Sequence, residues 1–88
     1  MIVRYFAAAR AAAGVDEETF QLPEGADVAG LLEAVLAVER PVPPAGTPPL
    51  ARLLSRSSFL LNEVAVRDRA TALAPDDVVD VLPPFAGG

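Results

Sequence analysis

The chain contains no cysteine, no histidine, no lysine and no tryptophan, and each absence removes a chemistry. Without cysteine there is no disulfide, no thiolate nucleophile and no persulfide on a side chain. Without histidine the commonest general base and metal ligand is missing. Without lysine there is no Schiff base and no side-chain amine to be acylated. All seven cations are arginines, set against twelve carboxylates, for a net charge of −5. That balance excludes the basic face that a nucleic-acid partner needs. It fits docking onto a basic protein surface and equally serves solubility alone. No apolar run approaches the ~20 residues that span a bilayer. Arg4 and Arg10 interrupt the only apolar stretch near the N-terminus, so the expectation is a cytoplasmic protein without membrane association. There is no Gly-rich phosphate loop. The carboxylates are scattered; the only Asp pair, Asp76-Asp77, falls at a predicted turn, where solvated side chains are favoured over a metal site. A free-standing enzyme is not expected, nor a bound metal or cofactor.

What is present suffices for one small domain: 88 residues, of which 52% are apolar. Residues 2–6, Ile-Val-Arg-Tyr-Phe, read as a first strand with Val3 and Tyr5 on the core face and Ile2, Arg4 and Phe6 on the other. The alanine-rich residues 7–13 form a short helix closed by Gly14. Residues 16–22 read as a half-buried strand stopped by Pro23. Asp27 suits the N-cap of an amphipathic helix running to about Arg40, with Val28, Leu31, Leu32, Val35, Leu36 and Val38 at mostly three-to-four spacing. Residues 41–49 hold five of the nine prolines and predict an extended surface loop. A short helix over residues 50–56 follows, then two short strands, residues 58–62 and 64–66, around a turn at Asn62-Glu63. After an irregular crossing, residues 78–82 form the last strand, with Val79 and Val81 inward and Val78, Asp80 and Leu82 outward. The expected class is α+β, one main helix across one face of a mixed sheet whose first and last strands pair in parallel at the centre.

The chain then ends Leu82-Pro83-Pro84-Phe85-Ala86-Gly87-Gly88. Two glycines without Cβ atoms allow an extended tail to enter a narrow cleft, and two prolines upstream stiffen its approach. A frayed end is the bland alternative. Residues 1–83 are expected to form the domain and 84–88 a flexible tail.

This layout with this ending resembles the ubiquitin-like, β-grasp sulfur carriers, and among them the small subunit of molybdopterin synthase. Three pieces carry the resemblance. Val3-Arg4-Tyr5-Phe6-Ala7, through Arg10 to Gly14, is similar to that family's first strand and Arg-bearing short helix. Leu61-Asn62-Glu63-Val64-Ala65-Val66 is similar to its Asn-centred hairpin, and residues 73–88 to its turn, last strand and Pro-Pro-x-x-Gly-Gly tail. The chain departs from the pattern in having Asp76-Asp77 where Gly-Asp is usual, and in its proline-rich loop.

The resemblance implies that the Gly88 carboxylate is the working group. An ATP-dependent adenylating enzyme of the ubiquitin-activating type would convert it to an acyl-adenylate. A sulfur donor protein would then displace AMP to leave a C-terminal thiocarboxylate, which passes sulfur to a pterin substrate held by a larger synthase subunit. The cysteine-free composition agrees, because no side chain offers another place for sulfur. Partner-binding residues implied in the same way are Phe6, Arg10, Ala65, Leu82, Pro83, Pro84, Phe85, Ala86 and Gly87. Strand parity independently puts Phe6 and Leu82 together on the open sheet face, with Arg4 and Asp80 beside them as a candidate ion pair. Sulfur delivery to thiazole or cysteine synthesis, conjugation to other proteins as a ubiquitin-like modifier, and a plain interaction domain remain as alternatives.

Overall fold

Period-two alternation with Val3 and Tyr5 inward is realised in strand β1 (Ile2–Tyr5), where both side chains are buried. The structure, a computed structural model, describes residues 1–84. After β1 come helix α1 (Ala7–Ala13), strand β2 (Glu17–Thr19), helix α2 (Val28–Ala37), helix α3 (Leu50–Arg56), strands β3 (Ser58–Leu61) and β4 (Val64–Ala65), and strand β5 (Val78–Leu82). The sheet order is β2-β1-β5-β3-β4. β1 and β5 run parallel at its centre, with Val3 opposite Val79 and Tyr5 opposite Val81; the other pairings are antiparallel. This is the α+β arrangement expected from the sequence.

One face of the sheet carries the core. Val3, Tyr5, Phe59, Val79 and Val81 meet Val28, Leu31, Leu32 and Val35 of α2, Leu54 of α3, and Ala9 and Ala13 of α1. Alanine on the buried side of α1 allows that helix to lie close against the sheet. It stops at Gly14, whose left-handed φ of 82° a Cβ would disfavour and whose N–H returns to the Arg10 carbonyl at 2.9 Å. The β3–β4 turn has positive φ at both central residues, Asn62 at 48° and Glu63 at 70°, the geometry that matches the twist of a two-residue hairpin.

Three orphan N–H groups at the start of α2 find acceptors outside the helix backbone. Val28 N donates to the Thr71 carbonyl, Ala29 N to the Arg69 carbonyl at 2.9 Å, and Gly30 N to the Asp27 carboxylate at 2.8 Å. The irregular crossing thus serves as half of a helix cap. Replacing Asp27 with Ala is expected to cost about 1 kcal/mol, lowering Tm by roughly 4–8 °C; thermal melts of the two proteins would check it.

Two elements are shorter than the sequence pattern suggests. α2 ends at Ala37 rather than near Arg40, and Val38 is extended at φ −71°, ψ 131°. Pro41 lies three residues further on and bars Arg40, the residue before it, from helical geometry, so the helix cannot run on to Arg40. Leu36 and Val38, read from their spacing as core, are exposed. β2 spans three residues instead of seven: Ile2 pairs Thr19, and one step further Met1 and Phe20 exchange hydrogen bonds outside the strand proper.

Candidate functional site

The helices cover one face of the sheet and leave the other open. Register places Glu17, Arg4, Asp80, Leu60 and Ala65 in one row across that open face. One step toward the β5 C-terminus, Leu82 lies opposite Ser58. Phe6, extended at φ −126°, ψ 153°, continues the β1 alternation onto the same face and is 40% exposed. Phe6, Leu82 and Ala65 are therefore brought to one surface, as strand parity required. Leu60 completes the strip at half-burial, and sequence reasoning missed it. Its signal was there: it alternates with buried Phe59 in β3.

At the middle of this face lies an ion pair. Arg4 Nε donates to Asp80 Oδ1 at 2.6 Å and Nη2 to Oδ2 at 2.9 Å, a side-on bidentate clasp. The hydrogen bond and charge of Asp80 raise the pKa of the Arg4 guanidinium above its usual value. Asp80 points to the expected face yet is only 5% exposed, because Arg4 lies over it.

At the other end of β5, Asn62 ties the hairpin to the strand entry. Its Oδ1 accepts from Val78 N and its Nδ2 donates to Asp77 Oδ1, both at 2.9 Å, while Asp77 Oδ2 accepts from Ala74 N at 2.6 Å. The Ala74 N–H and then Asn62 hold the Asp77 carboxyl below the usual carboxylate range. The Asp pair is thus occupied with turn formation on its Asp77 side. Among the described residues no three metal-ligating side chains cluster.

Arg10 does not join the open face. It belongs to α1, on the helical side, where it pairs with Asp16 at 2.6 Å. Both side chains are well exposed, so the pair contributes little to stability. Together with Pro41, Val42, Pro43 and Pro44 they line a surface groove of about 620 Å³. Val42 is 94% exposed, consistent with the loop expected from the prolines. Pro83 is half-buried and Pro84 exposed where the chain leaves β5. Phe85, Ala86, Gly87 and Gly88 lie outside the described residues.

A second polar cluster, unforeseen from the sequence, sits at the edge of the core. Arg40 reaches back from the start of the proline loop to five acceptors: Glu18 Oε1 at 2.7 Å and Oε2 at 3.0 Å, the Val35 carbonyl at 2.9 Å, the Ala13 carbonyl at 3.0 Å and the Tyr5 hydroxyl at 3.4 Å. The Tyr5 hydroxyl in turn donates to Glu18 Oε1 at 2.7 Å. Burial pushes the Glu18 carboxyl up, but the hydrogen bonds from Arg40 and Tyr5 outweigh it and the net shift is downward. Burial, then the Glu18 carboxylate, raises the Tyr5 phenol well above its ordinary value.

A four-to-five-stranded mixed sheet with parallel first and last strands, one face covered by helices and the other open, is the ubiquitin-like β-grasp. The chain belongs to the ThiS family, whose model matches residues 3–88. It is 37% identical over 87 residues to the molybdopterin synthase sulfur carrier subunit of Chlamydomonas reinhardtii, covering 98% of this chain and 95% of that one. A solved structure from Pyrococcus furiosus, described as putative molybdopterin converting factor subunit 1, superposes with a TM-score of 0.71 at 29% identity over 96% of this chain and 95% of that one. SAMP1 from Haloferax volcanii superposes with a TM-score of 0.78 at 23% identity over 100% and 98% of the two chains, a likeness of fold. Among the described residues no helix is long and apolar enough to cross a membrane.

Proposed function

We propose that this chain is the sulfur carrier subunit of a molybdopterin synthase, with the Gly88 carboxylate as the group that bears sulfur. The observation that carries the reading is the likeness, over nearly the whole of both chains, to a protein of that name, within a family to which the chain belongs. The fold supports it: β5 is central, and the chain leaves it at Leu82 beside Phe6, on the open face, ahead of Pro83-Pro84.

The chemistry starts from a poor electrophile. A carboxylate delocalises its charge, and an oxide or hydroxide leaving group is unfavourable. An adenylating partner of the ubiquitin-activating type transfers AMP from ATP to a Gly88 oxygen, releasing pyrophosphate. A sulfide equivalent attacks the acyl carbon, AMP departs with the oxygen, and a thiocarboxylate remains. Its sulfur is the nucleophile for a substrate held by the larger synthase subunit. This chain supplies no general base, and none is required of it: its part is to present the tail and to dock.

Docking uses the open-face strip of Phe6, Leu60, Leu82 and Ala65. Burying an exposed Phe at an interface is worth ~1.5–3 kcal/mol, so Phe6→Ala is expected to weaken binding to the large subunit by roughly ten- to a hundredfold. Titration calorimetry with circular dichroism as the folding control decides it; a folded Phe6→Ala protein that binds as tightly as the parent removes the strip from the docking surface.

A further inference from the structure

We propose that Arg4 is a specificity-determining contact of this docking face, offering its outward Nη1 edge to an uncharged hydrogen-bond acceptor, a main-chain or amide carbonyl, on the large synthase subunit. The inference rests on the reading of the open face as the docking surface. It begins from the position of the ion pair, which sits in the same cross-strand row as Leu60 and Ala65 and next to the row of Leu82.

A charge pair at the centre of an apolar strip has a consequence for whatever covers it. A guanidinium carries five N–H donors. Two of Arg4's point at Asp80, and among the described residues Nη1 has no acceptor. The side chain is 41% exposed, which leaves the guanidinium open to solvent in the free protein. A wholly apolar partner surface would strip that solvent and return nothing, an unfavourable exchange for a charged group. A partner that fits must bring its own acceptor. Asp80 makes the contact specific by holding the guanidinium plane in a fixed orientation, so little side-chain freedom is lost on binding.

The charge around Arg4 selects the kind of acceptor. Asp80 already neutralises it, Glu17 is its cross-strand neighbour on the other side, and Glu63 lies close enough to favour the charged guanidinium. A partner carboxylate would enter among three like charges. A carbonyl oxygen accepts the same hydrogen bond without that repulsion.

The test compares three proteins by calorimetric titration with the large subunit, at low and high salt. In Arg4→Met/Asp80→Leu both charges are removed, so neither is left buried alone, and the fold is expected to persist. The acceptor on the partner then goes unpaired, and affinity should fall about tenfold, by the same factor at both salt concentrations. Arg4→Lys keeps the charge pair but lacks the Nη1 edge; it should show a similar loss and serves if the double variant fails to fold. Unchanged or tighter binding overturns the assignment of Arg4. A loss that shrinks as salt rises shows a carboxylate in place of the carbonyl and overturns the uncharged acceptor. Phe6→Ala separates the two readings: if it weakens binding while the Arg4 variants do not, only the Arg4 assignment falls. If none of the three weakens binding, the open face is not the docking surface.

Discussion

Deleting Gly87 and Gly88 is expected to abolish sulfur loading while leaving the fold intact. The last strand ends at Leu82, before the two prolines, so no described hydrogen bond or core contact depends on the deleted pair. The new terminal carboxylate, on Ala86, would stop roughly 7 Å short of where Gly88 places it. It would also bring a Cβ into the space that glycine leaves open. Intact mass after incubation with ATP, sulfide and an activating enzyme reads the outcome. The parent chain should gain the mass difference of one sulfur for one oxygen, and the truncated chain nothing, at equal Tm. A truncated chain that still gains sulfur would show that the adenylating partner does not read the Gly-Gly end. A parent chain that never gains it, with several verified activating enzymes, would move the function to protein conjugation or to plain interaction.

The second large effect is structural. Arg40→Met should destabilise the protein by about 3 kcal/mol, because it leaves the Glu18 carboxylate largely buried without its cation; the matching fall in Tm is roughly 12–24 °C. Side-chain exposures of 10% for Arg40 and 18% for Glu18 put this pair in the class where breaking it is costly. The pH dependence distinguishes this cause from simple loss of packing. In the parent, the Glu18 carboxyl titrates lower when folded than when unfolded. The folded state then binds fewer protons in the acid range, so the stabilisation is present above the unfolded value of about 4.3 and is lost as pH falls through the folded value. In the variant, only the Tyr5 hydrogen bond still opposes burial, so the carboxyl titrates higher than in the parent and acidification relieves it. The gap in Tm between the two proteins should therefore narrow as pH drops from neutral toward the acid range. A gap that stays constant would assign the effect to packing alone.

The contrast between what the sequence foretold and what it hid follows from the range of each interaction. Val3, Tyr5, Val79 and Val81 were readable because a strand's period of two is local, and Asp27 because an N-cap bonds only three residues ahead. The Arg4–Asp80 pair was readable despite a separation of 76 residues, because parity put both on one face and the parallel pairing put them side by side. Arg40 and Glu18 were not. They are 22 residues apart, on a loop and an edge strand, and in sequence each is indistinguishable from a solvated charge. The same Arg40 helps explain why α2 stops early, since its guanidinium takes the Val35 carbonyl that a longer helix would have used internally. Leu60 was passed over because, in a run of four residues, Leu60 and Leu61 look alike unless Phe59 is first set inward; the register then places Leu60 outward, beside Asp80.

The parallel pairing of β1 with β5 also sets an order of events during synthesis. Residues 1–77 contain every other element but lack the strand that joins β1 to β3, so the sheet is split into two hairpin-like halves until Leu82 has been made. Contacts that close so long a stretch of chain form late and slowly. The open face is therefore completed only when the strand that leads into the C-terminal segment has been made. A nascent or truncated chain lacking β5 has no continuous open face, so on the proposed function it could not occupy a synthase subunit that it is unable to serve.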